Sequence, residues 1–158
     1  MYNIEYCVAR CFSFIGSDLS HAPNFAIINF ISDALFNKEI LVKGDGLPCR
    51  TYLHQDDLAH WLRAILIKGV SGEAYNVGAD KVVSISELAC LVRDIVSPEK
   101  VVRISGKKEK CNGEIDKYIP NINKAKTELG LNVEIGLEEA IEKTAAIMHK
   151  SVVKNLSV

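Results

Sequence analysis

The sequence predicts an α/β fold, on three observations. Short apolar runs bounded by glycine, proline and serine alternate with longer stretches whose apolar residues recur at helical spacing. The first run, EYCVARCFSFIG (residues 5–16), is almost continuously apolar and broken by Arg10, as in a strand buried on both faces of a parallel sheet. With 158 residues, 48% hydrophobic and 25% charged, the chain can build one domain around a real core.

The elements follow in order. Gly16, Ser17, Asp18 and Pro23 mark a loop. Between Phe25 and Phe36, the residues Ile27, Ile28, Ile31, Ala34 and Leu35 share one helix face. Residues 40–42 read as a strand, Gly44, Gly46 and Pro48 as a turn, and residues 51–53 as a second strand. Asp56 or Asp57 caps a helix that buries Leu58, Trp61, Leu62, Ile65 and Leu66 and closes at Gly69 and Gly72. Ala74–Val77 is a strand. Ser84 and Glu87 have capping-box spacing, ahead of an inner face of Leu88, Leu91, Val92 and Ile95, and Pro98 stops that helix. Val101–Ile104 is a strand and residues 107–117 are a polar loop. A short helix, Asn123–Leu129, is ended by Gly130. The last helix carries Leu137, Ala140, Ile141, Thr144, Ala145 and Met148 on one face. The expected organisation is a single domain over residues 1–158, with its core from residues 20–70 and 85–150. Residues 1–15 form an orphaned strand, and residues 151–158 a tail with little to hold it.

Composition excludes several classes of function. A net charge of −1 gives no electrostatic case for nucleic acid or an anionic membrane. No apolar run reaches the roughly 18 residues needed to cross a bilayer. The start, MYNIEYCVAR, has no basic region leading into an apolar stretch, so it does not read as a secretory signal. Five cysteines (Cys7, Cys11, Cys49, Cys90 and Cys111) form no CxxC pair. They read as reduced thiols, several of them buried, which points to the cytoplasm. His54, Asp56, Asp57 and His60 invite a metal reading, but a helix cap beside a surface histidine explains them more simply.

Four stretches in order carry a resemblance. ARCFSFIGS (residues 9–17) sits where one family has a strand ending Arg-x-x-Asn-x-x-Gly-Pro. KGDGLPCRTYLHQDDLA (residues 43–59) is similar to its Gly-x-Gly followed by Arg-[Asp/Ser]-Tyr/Trp-[Ile/Leu]-[His/Tyr]-Val-x-Asp-x-Ala. GEAYNVGAD (residues 72–80) is similar to its Gly-Glu-x-Tyr-Asn-[Val/Ile]-Gly, and KYIPNINKAKTELGL (residues 117–131) to its Asp-x-[Ser/Thr]-Lys-Ala-x-x-x-Leu-Gly. Together they resemble the C-terminal, substrate-binding part of the NAD-dependent epimerases and dehydratases that act on nucleotide sugars. These are extended short-chain dehydrogenases such as dTDP-glucose 4,6-dehydratase and UDP-glucose 4-epimerase.

The resemblance implies roles for particular residues. Arg50 takes the place of the arginine that contacts the substrate diphosphate, a contact suited to a planar guanidinium with paired donors. The alternative is a surface arginine paired with Asp45 or Asp56. Ser13 replaces the family's asparagine near the diphosphate and offers a shorter hydroxyl, or is simply a small residue at a strand end. Asn29 stands where the usual residue is proline, at the helix entry facing the nucleotide, and Phe25 or His21 could stack on the base. Tyr118 lies in the late substrate-contacting segment, with Lys107, Lys108 and Lys117 able to supply positive charge. Arg10 reads as structural, a buried arginine in need of a carboxylate.

The family's NAD turn and catalytic pair have no counterpart here. The single Gly-x-Gly, at Gly44 and Gly46, leads to Pro48 and a strand rather than a helix, and no tyrosine has a lysine four residues on. The expectation is a nucleotide-sugar-binding half that binds no cofactor alone, with NAD and the catalytic base coming from a partner half. The competing expectation is a non-catalytic module that self-associates into a homo-oligomer through orphaned strands, its first strand paired irregularly or donated to a second copy.

Overall fold

The computed structural model describes residues 4–19, 25–106 and 115–155. The apolar run at the start does not form one buried strand. It divides into β1 (Val8–Cys11) and β2 (Phe14–Ile15), which join different partners. β1 runs parallel to β6 (Ala74–Val77), in register from Val8–Ala74 to Cys11–Val77, and β2 runs parallel to β5 (Leu53–His54). The change of partner happens within two residues. The Phe12 N–H still donates to Val77 O at 3.0 Å, while Ser13 O already accepts from the Leu53 N–H at 3.1 Å.

β1 is more open than its composition suggests. Ile15 and Gly16 are buried, but Val8, Arg10 and Cys11 are exposed. Arg10 is therefore not the buried, carboxylate-dependent arginine expected, because β1 is covered on one side only. The same openness leaves Cys11 exposed and Cys7, Cys49 and Cys90 half-buried, so none of the four described cysteines is a core residue. The β1–β6 ladder is regular over its whole length, where irregular pairing was one expectation.

Two cores flank these strands. The first gathers α1 (Ala26–Phe36), β3 (Glu39–Val42), α3 (Ile85–Val96), β8 (Val101–Ile104) and α5 (Leu137–Asn155). Ile27, Phe30, Ile31, Leu88, Val92 and Ile141 meet there, over the parallel pair β3–β8. Ser84 and Glu87 form the complete capping box their spacing predicts. α5 continues past Lys150 to Asn155, so the tail expected from residue 151 is helical up to that point.

The second core joins α2 (Gln55–Lys68) and α4 (Asn123–Leu129) to β6. Trp61, Ile65, Tyr75, Val77 and Leu129 pack together, and Trp61 Nε1 donates to Asn132 O at 3.0 Å. The buried face of α2 is Asp57, Trp61, Ala64 and Ile65. Leu62 and Leu66, expected inside, are 39% and 83% exposed, because Ala64 rather than a leucine faces the core.

The turn that follows β3 is pinned against the start of α3 and the end of β8. Gly46, with φ +79°, offers its carbonyl to the Ser86 N–H at 3.0 Å, and Pro48 O accepts from the Ile85 N–H at 2.9 Å. Gly106 lies so close that a Cβ there would fall 2.2 Å from the Gly44 carbonyl carbon. Beyond the turn, β4 (Cys49–Arg50) is the central strand of a small sheet. It runs antiparallel to β7 (Val83–Ser84) and parallel to β9 (Lys117–Tyr118). Of the strand expected over residues 51–53, only Leu53 is in a strand, β5; Thr51 and Tyr52 are buried in the link between β4 and β5.

Candidate functional site

β4 places Arg50 between two strands, opposite Val83 on one side and Tyr118 on the other. Its side chain is only 25% exposed. Nη1 donates to Cys49 O at 2.9 Å and to Asp116 O at 3.3 Å. Nη2 forms an ion pair with Asp116 Oδ2 at 2.6 Å. The partner is neither Asp45 nor Asp56. Asp45 Oδ1 accepts from the Leu47 N–H, tightening the turn, and Asp56 Oδ2 lies 3.5 Å from His54 Nδ1. Asp116 is the site residue that sequence reasoning misses. It is 66 positions from Arg50, and only the β4–β9 pairing brings the two together.

Tyr118 is 45% exposed and stacks on Phe12, with ring centroids 4.6 Å apart. Phe12 precedes Ser13, whose carbonyl is tied to β5. Arg50 and Tyr118 are register partners, and Ser13 stands next in sequence to the stacked Phe12. Lys117 is exposed on β9 beside them. His21, Lys107 and Lys108 lie outside the described residues.

Asn29 is placed apart, in a groove of about 760 Å³. Its walls include Asp33, Leu41, Val42, Lys43 and Ile85, but neither Arg50 nor Tyr118. Asp33 is committed to the scaffold, accepting from Asn37 Nδ2 and from the Leu41 N–H. The groove and the arginine are connected along the chain: Ile85 lines the groove, and Val83, two residues before it, pairs with Arg50. Phe25 packs against the first core at the start of α1.

Two expected roles change. Asp57 does not cap α2. His54 does, its Nδ1 accepting from the Asp56 N–H at 3.2 Å. Asp57 is buried, and its Oδ2 accepts from the N–H groups of Glu134 (3.1 Å) and Ile135 (3.0 Å), fixing the approach to α5. Among the described residues, no three His, Cys, Asp or Glu side chains cluster as metal ligands would.

The Gly44–Gly46 turn does not suit a dinucleotide. Its faces are taken by the backbone of Gly106 and by the start of α3, whose first N–H groups are spent on Pro48 O, Gly46 O and Ser84 Oγ. What the site offers chemically is a guanidinium for an anion, an aromatic face and a mixed polar and apolar groove.

Known proteins resemble this chain in sequence and in fold. The family model described as "NAD dependent epimerase/dehydratase family" matches residues 1–78. UDP-glucuronic acid decarboxylase 1 of Danio rerio is 28% identical over 141 residues, covering 89% of this chain and 33% of that protein. dTDP-glucose 4,6-dehydratase of Streptomyces griseus is 26% identical over 151 residues, covering 94% of this chain and 44% of that protein. The structure of UDP-glucose 4-epimerase from Thermotoga maritima, solved with UDP-glucose, superimposes with a TM-score of 0.79 at 25% identity. It covers 96% of this chain and 48% of that one. The chain spans about a third to a half of the length of these relatives.

Proposed function

The chain belongs to the NAD-dependent epimerase/dehydratase family, and from that premise we propose that it is the nucleotide-sugar-binding half of a 4,6-dehydratase or 4-epimerase. The observation that carries the reading is Arg50. Its guanidinium is held on a strand, mostly shielded, and already gripping an anionic oxygen at 2.6 Å. Phosphate oxygens present the same acceptor chemistry. Ser13 and Tyr118 flank the diphosphate, and the groove with Asn29 takes the nucleoside, its volume being within the range of small-molecule sites.

The residues present do not fit NAD, so the chain by itself holds the substrate and leaves the redox step to a half that carries the dinucleotide turn and the tyrosine–lysine pair. Its free thiols suit the cytoplasm. Among the described residues, no helix is long and apolar enough to cross a membrane. Calorimetric titration with UDP-glucose, dTDP-glucose and NAD tests the reading. A sugar nucleotide is expected to bind and NAD is not, whereas binding of NAD alone would overturn it.

A second reading is favoured by the β1 side. Among the described residues, no strand pairs with the outer edge of β1. Tyr6, Val8, Leu66 and Ile67 are 61%, 44%, 83% and 65% exposed, so the uncovered surface is apolar. On this reading the chain is a binding module that pairs with a second copy of itself there. Sedimentation should then give a dimer that Val8→Lys dissociates, and a monomer at about 100 μM would remove the reading.

A further inference from the structure

We propose that Asp116 is a placeholder in the anion seat, a carboxylate that occupies Arg50 until a phosphate displaces it and so sets the affinity of the site. The inference rests on the reading of Arg50 as the diphosphate grip. It comes from the way the contacts are divided. Two main-chain carbonyls, Cys49 O and Asp116 O, hold Nη1. These contacts aim the guanidinium whatever the Asp116 side chain does. The Asp116 backbone is fixed in turn, since its carbonyl also accepts from the Cys49 N–H at 2.8 Å. The carboxylate itself is 65% exposed, and its one described polar contact is Nη2 of Arg50.

Positioning and charge balance are thus assigned to different atoms. An exposed ion pair is a weak competitor, because water and salt screen it. A diphosphate brings more charge and more acceptor oxygens to the same fork. When it arrives, the carboxylate can swing into solvent while the β4–β9 ladder and the aim of Arg50 remain. The placeholder also sets a threshold: a ligand must outcompete a neighbouring carboxylate, which favours a diphosphate over a singly charged anion.

The test is a titration of UDP-glucose into five forms of the 158-residue chain: wild type, Asp116→Asn, Asp116→Ser, Arg50→Ala and the Asp116→Asn/Arg50→Ala double variant. Freeing the arginine should tighten binding about two- to fivefold, the worth of an exposed pair. Asp116→Ser should reproduce the gain. In the Arg50→Ala background, Asp116→Asn should change nothing. Unchanged or weaker binding by Asp116→Asn, where wild type binds and Arg50→Ala does not, overturns the placeholder alone. A gain that persists without Arg50 also overturns it, since plain charge repulsion would then be the cause. If wild type and Arg50→Ala bind equally, or no protein binds, the diphosphate reading fails and the placeholder falls with it.

Discussion

Tyr52 sits in the link between β4 and β5, 6% exposed and two residues after Arg50. Burial pushes its hydroxyl up to about 12, against a smaller downward pull from the Arg50 charge. The unfolded chain ionises near pH 10. Below that, the phenol is neutral in both states and the full stability is present. As pH rises from 10 through 12, the unfolded state loses its proton first and stability falls. Two pH units correspond to about 3 kcal/mol. Tyr52→Phe, which cannot ionise, should lose about that much less than wild type over this range in urea unfolding at each pH. Equal losses would mean that the hydroxyl is hydrated. At this scale the sequence is legible where a side chain sits inside a local pattern. Arg50 stands in such a pattern. Asp116 does not, because the pairing of two short parallel strands leaves no periodic trace. His54 rather than Asp57 caps α2 for a related reason: both stand at the helix start and both are buried, and only their hydrogen-bond partners, the Asp56 N–H for one and the distant Glu134 and Ile135 N–H groups for the other, tell them apart.

Among the elements, the turn at Gly44–Gly46 is held by contact with its neighbours rather than by its own preferences. The two glycines that meet there should respond differently. Alanine at Gly106 would drive its Cβ into the Gly44 backbone, at 2.2 Å from the carbonyl carbon and 2.5 Å from the oxygen. Alanine at Gly44 would meet nothing within 4 Å. Gly106→Ala should therefore cost about 1–3 kcal/mol in denaturant unfolding, and Gly44→Ala within about 0.5 kcal/mol of zero. Similar values for the two would contradict the packing described. Helices were the legible elements. α3 has its capping box at Ser84 and Glu87, and α4 has Gly130 in the left-handed region at φ +69°. Those signals are local. The first apolar run was misread because composition reports a tendency to be a strand, not how many of its edges and faces find cover. A parallel pair with one open side and a central strand share the same residues.

For the molecule as a whole, the two cores and the small β7–β4–β9 sheet divide the labour. The first core fixes α1 and β3, which wall the groove, and the sheet carries the arginine on its central strand. The four family-like stretches are dispersed in sequence. Three of them contribute to the sheet or to the stack beside it, through Arg50, Tyr118 and Phe12, while Gly72–Asp80 builds the second core through Tyr75 and Val77. The groove was the least legible feature, since α1 and β3 are separately recognisable but their spacing is set by the packing of α3 and α5 behind them. The account stands on one interaction, so the direct measurement is the dissociation constant of UDP-glucose for Arg50→Ala relative to wild type, with thermal unfolding of both proteins as the control. A charge-assisted hydrogen bond contributes about 1.5–3 kcal/mol. The account predicts binding weakened about ten- to a hundredfold with the fold intact. Equal affinity in the two proteins would contradict it.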